Sequence, residues 1–167
     1  MNSKYFVPKP ETLEELKTMY RKLAIENHPD KGGNAETMKE INNEYDVLFP
    51  LLKDVHRNFE GEVYTAHQES TESADSFKDL ISELMKTEGI IIEIIGRFIW
   101  VTGNTKPYRE QLKALNFQWH SKKLAWYLKP EDYRMRSHKD YSLDEIRFMY
   151  GTSDKMNSNG ITKLEQA

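Results

Sequence analysis

The sequence contains no cysteine, and this absence removes two kinds of structure at once. Disulfide bonds and zinc sites built on thiolates are excluded, which agrees with a reducing compartment. Long apolar runs are missing as well, because the longest, residues 47–52 and 98–101, are far too short to span a bilayer. The first residues lack the apolar core of a signal peptide. We therefore expect a soluble cytoplasmic protein that has no membrane partner.

Motifs for catalysis and for cofactor binding are also absent from the sequence. No phosphate-binding Walker loop, GxSxG nucleophile motif or dinucleotide fingerprint occurs. Glu131 and Asp132 follow Pro130 and are typical of a turn rather than of a catalytic carboxylate pair. The histidines are scattered without the spacing of metal ligands; they are His28, His56, His67, His120 and His138. We expect no enzyme activity of the chain's own, no bound metal and no cofactor.

The charge is distributed unevenly, although the net charge is only −3. Residues 60–88 carry eight acidic and two basic side chains, a net of −6, whereas residues 106–147 carry ten basic and six acidic ones, a net of +4. This change of sign suggests separate functional units. We predict an α+β protein with a helical unit at 1–57, an acidic linker at 58–74, an amphipathic helix with a small α+β domain at 75–151, and a disordered tail at 152–167.

Two helices are predicted in the first unit. Thr12 and Glu15 form a capping box, and apolar residues at helical spacing continue from there to Asn27. Pro29 should end this helix, and Pro50 should kink or end the second one. The apolar stripes of the two helices should face each other in an antiparallel hairpin, with core residues Leu16, Leu23, Ile41, Tyr45 and Leu48.

The second unit has the pattern of a small α+β domain. Apolar residues between 77 and 85 predict a third amphipathic helix, and residues 90–95 and 98–101 then form a β-hairpin whose turn begins with glycine. A helix opened by proline follows, and after it a strand-rich piece at 117–128. A second capping box at 142–145 opens a last helix.

The loop between the first two helices carries the most specific motif. It reads HPDKGG over residues 28–33, with YRKLA before it at 20–24 and KEINNEYDVL after it at 39–48. A His-Pro-Asp tripeptide alone is more often a helix terminator. Its place at the tip of a helical hairpin, between these two segments, is far more specific. Over residues 5–57 the combination resembles the J domain of the DnaJ family.

The resemblance implies a partner and an activity. J domains bind DnaK-type (heat shock protein 70) chaperones and accelerate their ATP hydrolysis, so the chain is expected to be a non-catalytic co-chaperone whose client is unknown. Lys17 and Arg21 are four residues apart and share one helix face, where we expect an exposed cationic strip that suits an acidic partner. The alternative for these cations is a merely solvated helix face. The residues that the resemblance assigns to chaperone binding are His28, Pro29, Asp30, Lys17, Arg21 and Lys22.

Two positions depart from the pattern of the family. Its usual first helix is shortened here to residues 5–7, ahead of two prolines. Glu44 stands where the family usually has alanine. The Gly/Phe-rich stretch and the cysteine repeats of full-length DnaJ are absent too, so any client-binding role must come from the second unit or be missing.

The basic residues of the second unit leave several functions open. This unit contains WVTGN at 100–104, YREQLKALNFQW at 108–119 and KKLAWY at 122–127. In this order of segments it resembles small modules attached to DNA-processing and mobile-element proteins, and also the region found beside J domains in bacterial and phage proteins. Aromatic residues interleaved with cations would suit single-stranded nucleic acid or a client protein, whereas core packing of Trp100, Phe117, Trp119 and Trp126 is the simpler interpretation. The candidate nucleic-acid or partner surface consists of Arg109, Lys113, Lys122, Lys123 and Lys129.

Overall fold

The structure is a computed structural model that describes residues 2–134, 139–150, 156–157 and 160–161. The helices are α1 (Leu13–Asn27), α2 (Ala35–Leu52), α3 (Ala74–Met85), α4 (Arg109–Ala114) and α5 (Leu143–Tyr150). The strands are β1 (Val55–Arg57), β2 (Val63–Thr65), β3 (Ile90–Ile95), β4 (Phe98–Gly103), β5 (Gln118–His120), β6 (Ala125–Leu128), β7 (Met156–Asn157) and β8 (Gly160–Ile161). The α+β class is confirmed. No helix in these ranges is long and apolar enough to cross a bilayer.

The hairpin of α1 and α2 forms where the apolar stripes predict it. Thr12 caps α1 by accepting a hydrogen bond from the amide of Glu15 at 3.3 Å, although the carboxylate of Glu15 accepts from the amide of Glu11 and not from that of Thr12. Helix α2 continues through Pro50 to its end at Leu52. A proline so close to the end of a helix removes one backbone hydrogen bond without interrupting the turns before it.

The segment before α1 is held against α2 by Glu44. The carboxylate of Glu44 accepts hydrogen bonds from the hydroxyl of Ser3 at 2.6 Å and from the amides of Lys4 and Tyr5 at 2.8 and 3.1 Å. Phe6, next in the chain, is completely buried. The two departures from the family's pattern are therefore linked, because the carboxylate that replaces alanine anchors the short segment that replaces the first helix.

Six strands form one antiparallel sheet in the order β5-β6-β4-β3-β7-β8, and β1 pairs with β2 separately. The β3–β4 hairpin lies where it was predicted, with Gly96 in its turn at φ +56°. The segment 58–74, predicted as a linker, contains β2. The tail predicted at 152–167 contributes β7 and β8, and β7 pairs with β3; its other residues lie outside the described part of the chain.

One apolar core joins the helical hairpin to the sheet. Helix α3 lies against both, because the ring of Phe77 packs on Tyr20 and Tyr45 with centroids 5.9 and 6.1 Å apart. Ile92 on the inner face of the sheet belongs to the same buried cluster. The opposite face of the sheet packs against α5. The two units predicted from the charge pattern therefore share their interior.

Candidate functional site

The loop between α1 and α2 is closed by backbone hydrogen bonds. The amide of His28 donates to the carbonyl of Ala24 at 2.8 Å, which completes the last turn of α1. The carbonyl of His28 then accepts from the amides of Lys31 and Gly33 at 2.9 and 3.0 Å, around a short 3-10 turn at Pro29–Lys31. The proline ring fixes the backbone angle at the start of this turn. The loop is consequently a defined turn rather than a loose connection.

Gly33 is required by a close approach of the backbone. A Cβ atom added there would lie 2.1 Å from the carbonyl carbon and 2.2 Å from the carbonyl oxygen of Asn27. Gly32 has φ +82°, but a Cβ atom on it would meet no described atom within 4 Å. Gly33 was not among the predicted site residues, although a glycine pair is itself the signal for such a contact.

The side chains of His28 and Asp30 have different environments. Nδ1 of His28 accepts a hydrogen bond from the amide of Asp30 at 3.2 Å, and only 15% of the His28 side chain is exposed. The carboxylate of Asp30 is 62% exposed, with Oδ2 at 3.7 Å from the same Nδ1. The bond from the amide requires an unprotonated Nδ1, so we assign a neutral ring with its proton on Nε2. His28 thus positions the turn, and Asp30 presents a negative charge to solvent.

Arg21 is completely buried, and the exposed cationic strip predicted for α1 is therefore wrong at this position. Its Nη1 donates to the carbonyl oxygen of Ile92 in β3 at 2.7 Å. The spacing of Lys17 and Arg21 does place them on one face of the helix, but the sheet and the α3 region of the same chain cover that face. A helical repeat shows which residues share a face and not what covers it.

Lys17 is largely covered as well. Its Nζ lies 2.5 Å from Oε1 of Glu72 and 5.0 Å from the centre of the Phe77 ring, and 13% of the side chain is exposed. Lys22 is half-buried and borders a surface cleft beside the segment that precedes α1. Chaperone binding by Lys17, Arg21 and Lys22 stays a prediction, and for the first two it requires other parts of the chain to move away.

Two basic residues of the candidate surface in the second unit contact Asp140. Nζ of Lys123 lies 2.5 Å from Oδ1, and Nζ of Lys122 lies 3.2 Å from Oδ2. Burial and the charge of Lys123 lower the pKa of His120, so this ring is neutral at pH 7 and adds no positive charge. The other members of the surface are exposed: Arg109, Lys113 and Lys129. Binding of nucleic acid or a partner by these residues stays a prediction.

The aromatic side chains of the second unit mostly serve the core. Trp100, Phe117 and Trp126 are buried, which confirms the core-packing interpretation for them. Trp119 is 46% exposed, so the same interpretation is wrong there, although its ring packs on Trp126 with centroids 5.5 Å apart. Trp119 belongs to β5, the edge strand of the sheet, where a side chain has neighbours on one side only.

Histidines away from the loop do not assemble a metal site in the described ranges, where no three His, Asp or Glu side chains are grouped as ligands. His56 is buried, and its Nδ1 lies 2.6 Å from Oε1 of Glu14 in α1. This contact joins β1 to the start of α1. His138 lies outside the described residues.

Comparison with known proteins shows which domain family this helical hairpin belongs to. A family model for the DnaJ domain matches residues 6–53, which contain α1, the loop and α2. The hairpin with a His-Pro-Asp turn at its tip is therefore a J domain, and the resemblance stated for residues 5–57 is confirmed. The match gives this class to residues 6–53 of the chain.

Three similar proteins match part of the chain. Chaperone protein dnaJ A6 of Oryza sativa subsp. japonica is 46% identical over 63 residues, which are 35% of this chain and 15% of that protein. DnaJ protein homolog 2 of Allium porrum is 55% identical over 51 residues, 28% of this chain and 12% of that protein. DnaJ homolog subfamily C member 5B of Sus scrofa is 38% identical over 88 residues, 49% of this chain and 44% of that protein. The chain thus spans less than half the length of these relatives. No solved structure matches the chain.

Proposed function

We propose that this chain is a co-chaperone that docks on a DnaK-type (heat shock protein 70) chaperone through the loop at 28–33 and stimulates its ATP hydrolysis. The observation that carries the proposal is the presentation of Asp30, whose carboxylate is 62% exposed on a turn closed by backbone hydrogen bonds. A turn that is already ordered loses little conformational entropy when it binds, so more of the contact energy appears as affinity.

Each residue of the loop has a distinct role in this proposal. Asp30 makes a charged contact with a cationic group of the chaperone. Pro29 keeps the turn stiff, and His28 holds the amide of Asp30 through Nδ1. Lys22 completes the site as a cation for an acidic surface of the chaperone. The chain itself performs no chemistry, because it shifts a conformational equilibrium in its partner.

The second unit is proposed to bring a client or a complex to the chaperone, and the client is unknown. We do not extend the proposal to nucleic acid. Lys122 and Lys123 are engaged with Asp140, and a net of +4 over residues 106–147 is modest beside dedicated nucleic-acid-binding domains.

The test is single-turnover ATP hydrolysis by a DnaK-type chaperone in the presence of this chain. His28→Gln removes the ring that holds the amide of Asp30, and we expect at least a ten-fold loss of stimulation, about 1.4 kcal/mol or more in the barrier. His67→Gln is the matched control, because His67 is exposed and lies outside the loop. It should stimulate as the unsubstituted chain does. Equal stimulation by both variants would overturn the proposal.

A further inference from the structure

We propose that the docking surface extends beyond the J domain and includes Lys86, at the end of α3, as a cation that meets the acidic face of the chaperone. This inference rests on the proposed function and deepens it. Lys86 lies 33 positions after the last residue of the DnaJ match at 6–53, so family resemblance assigns it no role.

The first step is that two cations of α1 are covered by the rest of the chain. Arg21 is completely buried and bonded to the carbonyl of Ile92. Lys17 is paired with Glu72 and is 13% exposed. An acidic partner that approaches the loop therefore meets little positive charge from this face of the helix. Complementary charge speeds the encounter of many complexes, so a cation from another element would add to what Lys22 supplies.

The second step is the direction of α3. Lys17 contacts Glu72, which precedes α3, and also the ring of Phe77. Tyr20, one turn later in α1, contacts the same ring. α3 therefore runs alongside α1 in the same direction. At about 1.5 Å per residue, Lys86 lies roughly 13 Å beyond Phe77, and His28 lies roughly 12 Å beyond Tyr20. The end of α3 is therefore level with the loop that carries the His-Pro-Asp motif.

The third step is the electrostatic environment of Lys86. A hydrogen bond to Glu83 raises the pKa of Lys86, and the negative charge of Asp30 acts in the same direction. The side chain is 53% exposed, and its ion pair with Glu83 spans one helical turn at 2.5 Å. An exposed pair of this kind exchanges readily with an external carboxylate. The position just past α3 also suits a cation, because the end of a helix carries partial negative charge.

The resulting surface has two parts. The loop offers the carboxylate of Asp30, and the neighbouring end of α3 offers the ammonium of Lys86. The partner must therefore present a cation facing the loop and carboxylates beside it. An ammonium group on a long flexible side chain at the rim of such an interface affects mainly the rate of encounter and its dependence on salt.

The test compares three variants in the same single-turnover assay. Lys86→Glu reverses the charge, and we expect stimulation at limiting chain concentration to fall on the order of three- to ten-fold at low salt, with a smaller loss at higher ionic strength. Glu83→Gln removes the competing carboxylate and should raise stimulation. Lys9→Glu is the control, because Lys9 is exposed and precedes the opposite end of α1, roughly 22 Å from the loop along the helix.

Thermal unfolding of each variant shows whether the fold is retained, and His28→Gln is measured beside them. Loss of stimulation in His28→Gln together with full stimulation in Lys86→Glu overturns this inference alone, and leaves Lys22 as the cation of the docking surface. Full stimulation in His28→Gln overturns the proposed function itself. A loss in Lys86→Glu that Lys9→Glu reproduces also overturns the inference, because the effect would then be one of net charge.

Discussion

Arg21 of α1 donates a hydrogen bond from Nη1 to the carbonyl oxygen of Ile92 in β3 at 2.7 Å, and its side chain has no exposed surface. The two residues are 71 positions apart. A buried guanidinium is costly unless it is paired, so the carbonyl of Ile92 stabilises Arg21 at this position. The contact joins the J domain to the remainder of the chain at the face that was expected to be free for a partner.

Replacement of Arg21 should lower the free energy of unfolding. Arg21→Met keeps most of the packing and removes the donor, and we expect a loss of about 1.5–3 kcal/mol, the range for hydrogen bonds that involve a charged group. Arg21→Ala removes the packing too and should cost more. Urea denaturation followed by circular dichroism measures both. Arg109→Met, at an exposed position of α4, should change stability by less than about 0.5 kcal/mol. Equal midpoints for Arg21→Met and the unsubstituted chain would contradict the role of this bond.

The burial of Arg21 could not be predicted from the sequence, whereas the hairpin that carries it could. α1, α2 and the β3–β4 hairpin follow from caps, apolar spacing and a glycine turn, all of which are local. The acceptor of Arg21 is a backbone carbonyl in a distant strand, and a carbonyl has no signature in the sequence. Trp119 was mispredicted for a related reason, since the order of strands decides which strand lies at the edge.

Gly33 gives a prediction about the loop itself. In Gly33→Ala the new Cβ would lie 2.1 Å from the carbonyl carbon of Asn27, so either the end of α1 or the turn has to shift. We expect a loss of about 2 kcal/mol or more in stability and a loss of chaperone stimulation, because Asp30 is displaced with the turn. Amide chemical shifts of residues 27–34 report the displacement directly.

Gly32→Ala separates backbone strain from steric contact. Its φ of +82° disfavours a side chain, but a Cβ there would meet no described atom within 4 Å. The cost should stay near 1 kcal/mol, the usual penalty for a left-handed residue other than glycine. If Gly32→Ala displaced the loop as much as Gly33→Ala, the close approach to Asn27 would not be the reason for the glycine.

Glu44→Ala is expected to destabilise the chain, although alanine is the usual residue of the family at this position. Glu44→Ala restores the residue that the family usually has, yet it removes the acceptor for Ser3, Lys4 and Tyr5. Because the site is only partly buried, we expect a loss of about 1–2 kcal/mol at neutral pH. The segment that contains Phe6 should also lose protection against amide hydrogen exchange. Glu60→Ala, at an exposed turn position, is the control and should leave both measurements unchanged.

The effect of Glu44 should depend on pH in a defined direction. Burial raises the pKa of this carboxyl, but the hydrogen bonds from Ser3 and from the amides of Lys4, Tyr5 and Phe6 outweigh it, so the pKa lies below its ordinary value of 4.5. A carboxylate with a lowered pKa stabilises the folded chain fully above the unfolded value and loses that contribution as the pH falls through the folded value. The stability difference between the unsubstituted chain and Glu44→Ala should therefore be constant above about pH 5.5 and shrink below pH 4.5. A difference that persisted undiminished to about pH 2 would show that the anchoring does not depend on the ionised carboxylate.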